Sequence, residues 1–272
     1  MQNSILPFRA SRILYSSWGT GDNLLFCLHG YGESAGSFEL LTLHLPPDQY
    51  RMIAIDLPMH GQTVWLEDKQ FTVDDLIAVI DGIFETLHIR LEKFSVLGFS
   101  LGGRMALSLI ETIPSRIKKL FLLAPDGLTA NGWYRLATES WLGNNLFRLT
   151  MKYPGFLFRV LKTSRALRIT SQQTYSFTTY HIQDKQARED LYRRWTVLQK
   201  FHPLLGKIKS IILENKIPVR LFFGEYDQIV RFESGKEFGK GLEPFCELFI
   251  FQCGHQVLNE KNTQIISQSI RE

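Results

Sequence analysis

An α/β fold, with a mostly parallel central sheet covered by helices on both faces and a helical insertion, is what this 272-residue chain predicts. Short apolar runs alternate with segments of helical periodicity, the pattern of strands buried between crossover helices. The alternation stops at 127–207, where helical patterns follow one another without an obvious strand, and then resumes. Polar residues also recur in one place: His29, Asp56, Ser100, Asp126, Asp227 and His255 each close a strand-like run. In open parallel sheets the ligand site lies beyond the carboxyl ends of the strands. The expected organisation is a core of 1–126 and 208–272, interrupted by a helical insertion at 127–207.

Taken in order, 12–18 and 23–28 are strand-like, and Gly19-Thr20-Gly21-Asp22 between them reads as a hairpin-type turn. The second run leads into His29-Gly30-Tyr31-Gly32. Residues 51–55 form another strand, followed by Asp56-Leu57-Pro58-Met59-His60-Gly61-Gln62-Thr63, a loop by its Pro and Gly. A helix is predicted over 72–88. Thr72 caps it, Asp74 and Asp75 suit its positive first turn, and Val73, Leu76, Ile77, Ile80, Ile83, Phe84 and Leu87 make one buried face. A strand at 94–97 and a helix at 105–110 bracket Gly98-Phe99-Ser100-Leu101-Gly102. Residues 119–123 are the next strand, closed by Ala124-Pro125-Asp126-Gly127.

Inside the insertion, helices are expected over 133–142, 156–168 and 185–201. In the second, Phe156, Leu157, Val160, Leu161 and Leu167 share a face opposite Arg159, Lys162, Arg165 and Arg168. We expect the apolar face to pack and the basic face to be solvated, although such a helix also suits a membrane surface or an anionic substrate. The core then continues with a strand at 219–223 ending in Gly224-Glu225-Tyr226-Asp227, a helix at 231–240, and a strand at 247–251 leading to Cys253-Gly254-His255. A helix at 263–271 turns Ile265, Ile266 and Ile270 inward.

The composition, 44% apolar and 21% charged, is that of a globular domain able to bury a sizeable core. The net charge of +4 is uneven: 127–207 holds thirteen Lys/Arg against four Asp/Glu, or +9, leaving −5 elsewhere. Residues 1–11 show no apolar signal-peptide region, and no apolar run approaches the roughly 18 residues that span a bilayer. The three cysteines lack metal-ligand spacing and read as free thiols in a reducing cytoplasm, with Cys253 a candidate redox-sensitive neighbour of His255. The expectation is a cytoplasmic protein without cofactor, metal or nucleic-acid partner.

The chemistry-bearing stretch is Gly98-x-Ser100-x-Gly102 between a strand and a helix. A turn that tight needs glycines on both sides, and it lifts the serine to the apex of the sheet. A phosphate-binding loop is excluded, because Arg104-Met105 stand where Lys and Ser/Thr belong. The Gly19-Thr20-Gly21 stretch fails as a dinucleotide fingerprint, with Leu24 in place of the third glycine. Serine catalysis needs a base to take the proton and an acid to orient that base. Ser100, Asp227 and His255 stand in such an order at strand ends, with Asp126 a rival acid. His29 and His60 read as loop-bracing.

With those pieces in place, the chain resembles the α/β-hydrolase superfamily. His29-Gly30, the 56–63 loop, the Ser100 elbow, Gly224 to Asp227 and Gly254-His255 match over nearly its whole length apart from the insertion. The insertion resembles the helical lid of many members. The resemblance implies Ser100 as nucleophile, His255 as general base and then acid, Asp227 as orienting carboxylate, and the backbone N–H groups of Tyr31 and Leu101 as the oxyanion hole. Phe99 and Arg104 would line the substrate pocket. Met59, where the family usually has Gly, is a departure in a structural turn. The implied function is hydrolysis of an ester, thioester or related acyl bond of a small molecule with an apolar acyl part and an anionic group elsewhere. The alternatives are carbon–carbon bond hydrolysis, a menaquinone-pathway-type lyase (Gly102-Gly103-Arg104 resembles those enzymes), and a small-molecule receptor that keeps the triad but turns over poorly. Peripheral membrane contact through the basic insertion is a further expectation, and the sequence leaves the oligomeric state open.

Overall fold

A computed structural model describes residues 1–90, 93–129, 140–166 and 184–272. The chain divides into two compact units, Met1–Thr129 with Lys200–Glu272, and Ala130–Gln199. The first is built on an eight-stranded sheet of order β1-β2-β4-β3-β5-β6-β7-β8. Its strands are β1 (Gln2–Phe8), β2 (Ser11–Trp18), β3 (Asn23–Leu28), β4 (Tyr50–Ile55), β5 (Phe94–Phe99), β6 (Ile117–Leu123), β7 (Val219–Gly224) and β8 (Cys246–Phe251). From β4 to β8 all pairings are parallel, while β2 runs antiparallel to β1 and β4.

Two expectations at the N-terminal end change. β1 was not anticipated, and the hairpin lies between β1 and β2, turning at Arg9 with φ 54°. The 19–22 segment is no hairpin turn, because β2 and β3 lie on opposite sides of β4. It crosses over the 47–50 backbone instead, where Thr20 N–H donates to the Pro47 carbonyl at 2.7 Å and Gly21 N–H to that of Tyr50 at 3.3 Å. A Cβ at Gly21 would collide with the Gln49 backbone. The two glycines serve close approach rather than reversal.

Alternate residues of the central strands fill two cores, so the apolar runs lack a polar side. One face, with Leu25, Cys27, Met52, Ala54, Leu97, Phe121 and Phe222, packs under a 3-10 helix (Ala35–Leu43) and the last helix. The other packs Phe26 and Phe94 edge-to-face against each other and against Phe84 of α1 (Val73–Thr86), beside which lies α2 (Leu101–Thr112). α1 begins with a reciprocal capping box: Asp75 N–H donates to Thr72 Oγ1 at 3.2 Å, and Thr72 N–H to the Asp75 carboxylate at 3.1 Å. Arg9 adds an ion pair to Asp75 at 2.6 Å.

After the insertion the core resumes earlier than expected. Leu128 and Phe201 are buried, and the Phe201 ring lies 5.9 Å from that of Phe71. A helix not foreseen, α6 (Leu205–Asn215), buries Ile208 and Ile212. These contacts place the unit boundaries inside the 127–207 limits. α7 (Phe232–Gly239) and α8 (Glu260–Arg271) complete the core. On α8, Ile266 and Ile270 point inward as expected, but Ile265 is exposed, because Asn262, Thr263, Ile266 and Ile270 define the buried face.

The second unit contains α3 (Trp141–Lys152), α4 (Gly155–Ala166) and α5 (Lys185–Val197). Most of the helix expected over 133–142 lies outside the described residues, as do 167–168. α3 was not anticipated, since Gly143, Asn144 and Asn145 weaken its helical signal, yet Ser140 caps it by accepting from Gly143 N–H at 2.9 Å. Asp184 caps α5 in the same way through Ala187 N–H at 2.8 Å. The expected packing of the 156–168 apolar face is not realised at Phe156 and Val160, which are exposed. Among the described residues no helix is long and apolar enough to cross a membrane.

Candidate active site

Every backbone demand at the end of β5 is met by a residue the chain supplies there. Ser100 adopts φ 49° and ψ −113°, a strained conformation that costs on the order of 1–3 kcal/mol and persists only where neighbours enforce it. Its N–H donates to the Leu123 carbonyl at 2.9 Å, and its carbonyl accepts from Gly103 and Asp126 N–H groups at 2.9 Å each. A Cβ on Gly102 would strike the Leu28 carbonyl, and one on Gly98 would strike the Gly102 carbonyl. Both glycines are therefore fixed by sterics.

Three side chains from three strand ends meet at this turn. His255 Nε2 lies 3.0 Å from Ser100 Oγ, and His255 Nδ1 lies 2.7 Å from Asp227 Oδ2. The other carboxylate oxygen accepts from Ile229 N–H at 2.7 Å and Val230 N–H at 3.0 Å. The Asp227 side chain is wholly buried and that of His255 is 21% exposed. A carboxylate only accepts, so Nδ1 carries the imidazole proton and the Nε2 lone pair faces the serine hydroxyl. The loops bearing Asp227 and His255 are themselves tied, Tyr226 N–H donating to the Cys253 carbonyl at 3.0 Å. Gly224 has no room for a Cβ against Gly254. The Phe99 ring lies 5.2 Å from the His255 ring.

The loop after β3 is braced against the same turn. His29 Nδ1–H donates to the Gly30 carbonyl at 2.7 Å, while its Nε2 accepts from Leu57 N–H at 3.0 Å. Across a trans peptide, Tyr31 N–H points away from that fixed carbonyl. A Cβ on Gly30 would lie 2.8 Å from Phe99 Cδ1 and 3.3 Å from Ser100 Cβ, so the missing side chain lets this loop approach the serine. Leu101 N–H, at the first position of α2, has no acceptor within its own helix. His60 Nδ1 braces its loop through the Pro58 carbonyl at 2.9 Å.

The remaining strand-end residues fall into structural roles. Asp56 accepts from Ala35 N–H and Gln62 N–H at 2.7 Å each, holding two loops together. Asp126 pairs with Arg104 Nη2 at 2.6 Å and not with His255. The partnership of Asp126 with the largely buried Arg104 is the local feature the sequence reading missed, although their positions on either side of the elbow were its signal. Met59, where the family usually has Gly, has φ 66°, so a side chain occupies a left-handed position. Burial raises the Cys27 thiol far above its ordinary value and pushes Cys246 up to about 11. For Cys253, burial outweighs the hydrogen bond from Asn262, and the nearby Asp227 charge pushes the same way. A redox-sensitive role needs a lowered pKa, so these thiols do not favour one. Among the described residues no cluster of His, Cys, Asp or Glu is arranged to hold a metal.

A parallel sheet with a serine elbow at the end of its fifth strand is the architecture of the α/β hydrolases, and the chain belongs to that family: the alpha/beta hydrolase fold model matches residues 23–261. Among curated proteins it is 25% identical to an uncharacterized hydrolase, YugF, of Bacillus subtilis (strain 168), over 93% of this chain and 90% of that protein. It is likewise 25% identical to a proline iminopeptidase of Neisseria meningitidis serogroup B (strain ATCC BAA-335 / MC58), over 96% of this chain and 92% of that protein. Among solved structures, a thermophilic esterase from Thermogutta terrifontis, with malate bound, superposes with a TM-score of 0.69 at 15% identity, covering 100% of this chain and 97% of that one.

Proposed function

We propose that the protein is a serine hydrolase that cleaves an ester, thioester or related acyl bond through an acyl-enzyme on Ser100. The observation that carries this reading is the Ser100–His255–Asp227 hydrogen-bonded relay, with its proton on the Asp227 side of the imidazole. His255 Nε2 takes the hydroxyl proton as Ser100 Oγ attacks the acyl carbon. The carbonyl oxygen becomes an oxyanion held by the N–H groups of Leu101 and Tyr31. His255 then gives the proton to the leaving group as the acyl–leaving group bond breaks. Water, deprotonated by the same nitrogen, attacks the acyl-enzyme, and the proton returns to Ser100 as the acid departs. Asp227 stabilises the imidazolium in both halves. Phe99, beside His255, bounds the acyl side of the pocket.

The helical insertion is assigned the choice of substrate, the eleven Lys/Arg against four Asp/Glu (+7) of Ala130–Gln199 favouring a small molecule with a carboxylate or phosphate away from the reacting carbon. Arg104, already paired with Asp126, gives no specific support to the carbon–carbon or lyase alternatives. A fluorophosphonate probe and a panel of esters, thioesters and prolyl amides test the reading. Labelling of Ser100 with turnover of acyl substrates, both lost in Ser100→Ala, is the expected result. Failure of the folded protein to label would sink the serine mechanism, and labelling without turnover would make the protein a receptor. Neutral short esters outcompeting every anionic analogue at rates indifferent to salt would refute the anionic substrate.

A further inference from the structure

The second unit carries a surface that the chemistry at Ser100 does not use. One side of α3 is occupied: Phe147 lies 5.5 Å from the Tyr192 ring and 5.4 Å from that of Trp195, and Tyr192 donates to Asn144 Oδ1 at 2.8 Å. Met151 is buried on that side. The opposite side carries Leu142, Leu146, Leu149 and Tyr153, spaced i, i+4, i+7 and i+11, all at least 54% exposed. Trp141 at the head of α3 is 80% exposed, and Phe156 at the start of α4 is 73% exposed. Scattered apolar side chains on a surface need no explanation, but a run of large ones along one helix face marks an interaction site.

Charge decides what that site meets. Residues 140–166 contain five basic side chains, Arg148, Lys152, Arg159, Lys162 and Arg165, and no acidic one. All five are exposed. A second copy would oppose five positive charges with five more, which disfavours self-association through this face. A bilayer with anionic headgroups satisfies both features at once. Leucines and Phe156 enter the acyl boundary, Trp141 and Tyr153 sit at headgroup depth, and the arginines and lysines meet the phosphates. We propose that α3 and α4 form a docking surface for an anionic lipid bilayer, with the helices lying in the interface plane.

Vesicle sedimentation of the full chain tests this independently of the serine mechanism when the Ser100→Ala variant is used. Binding is expected to vesicles of equimolar phosphatidylcholine and phosphatidylglycerol and to be at least tenfold weaker on pure phosphatidylcholine. Arg148→Gln and Lys162→Gln should each lower partitioning about fivefold. Leu149→Asp and Phe156→Ser should lower it about tenfold or more while leaving the melting temperature unchanged, since both native side chains are exposed. Failure to sediment, equal binding to neutral vesicles, or indifference to these substitutions would overturn the proposal. So would sedimentation-velocity evidence of a dimer that Leu149→Asp dissolves, because the occupant would then be a second copy of this chain.

Discussion

Replacing Asp227 by Asn alters hydrogen-bond polarity at one atom while leaving shape almost unchanged. In the native site Oδ1 accepts from the Ile229 and Val230 N–H groups, and Oδ2 accepts from His255 Nδ1 at 2.7 Å. The Asn carbonyl can keep the first pair of bonds, which turns its NH2 group onto His255 Nδ1. Two donors cannot share that contact, so the imidazole proton moves to Nε2, and Nε2 can no longer accept from Ser100 Oγ. Loss of the productive tautomer costs about 10³–10⁴ in kcat. At about 1.4 kcal/mol per tenfold, that is about 4–5.5 kcal/mol of transition-state stabilisation. The assay is initial velocity on a chromogenic ester, paired with a thermal melt to show that the variant folds. Asp126→Asn supplies the contrast. It breaks the ion pair with Arg104, so we expect about 1–3 kcal/mol of lost stability with kcat within a few fold of wild type. If Asp227→Asn kept more than a tenth of the activity and Asp126→Asn abolished it, the assignment of the orienting carboxylate would be wrong.

Three other outcomes follow from local geometry. Met59→Gly removes a side chain from φ 66°; left-handed strain of about 1–2 kcal/mol less about 0.4–1 for the freer unfolded chain leaves a net gain of about 0.5–1 kcal/mol. That gain raises the melting temperature by about 1–4 °C, and a fall would refute the strain argument. Burial alone would raise the Asp75 carboxyl, but hydrogen bonds from Thr72 and the Arg9 ion pair outweigh it and hold the group below its ordinary value. Its stabilisation is therefore full above the ordinary carboxylate range and lost as pH falls through the depressed value. Asp75→Asn should cost about 1–2 kcal/mol in urea unfolding at neutral pH, with the deficit shrinking as the medium is acidified; a deficit independent of pH would refute this. Finally, with Cys246 pushed up to about 11 and Cys27 and Cys253 also raised, native protein at neutral pH should alkylate far more slowly with iodoacetamide than unfolded protein. Rapid inactivation traced to Cys253 would contradict this.

The parallel half of the fold was readable because its signals are local and strong. Strands β3 to β7 are short apolar runs largely buried on both faces, β8 is a half-exposed apolar edge strand, and α1 announces itself through Thr72, Asp75 and a helical apolar stripe. The site was legible for the same reason: steric demands write glycines at 98 and 102, and the fold puts its polar residues at strand ends. What escaped depends on partners distant in sequence. Gly19 and Gly21 look alike in a hairpin and in a crossover, and only the 47–50 backbone distinguishes the two. Asp126 and Asp227 are equivalent as strand-end acids until Arg104 takes the first and His255 the second. α3 hid behind Gly143 and two asparagines, residues that weaken a helix which Ser140 and packing against α5 then support.

The insertion enters after β6 and leaves before β7, yet those strands pair directly, Leu120 beside Val219 and Leu123 beside Phe222. The serine and its histidine are 155 positions apart. At about 5–20 residues per second, a ribosome delivers Ser100 about 8–30 s before it delivers His255. Through that interval the hydroxyl is an ordinary alcohol, because nothing yet withdraws its proton. Under the proposed mechanism, a nascent chain is therefore inert until β7 and β8 have been made and have added themselves to the sheet. Under that mechanism, placing Asp227 and His255 after the insertion makes the arrival of β7 and β8 the event that switches the chemistry on.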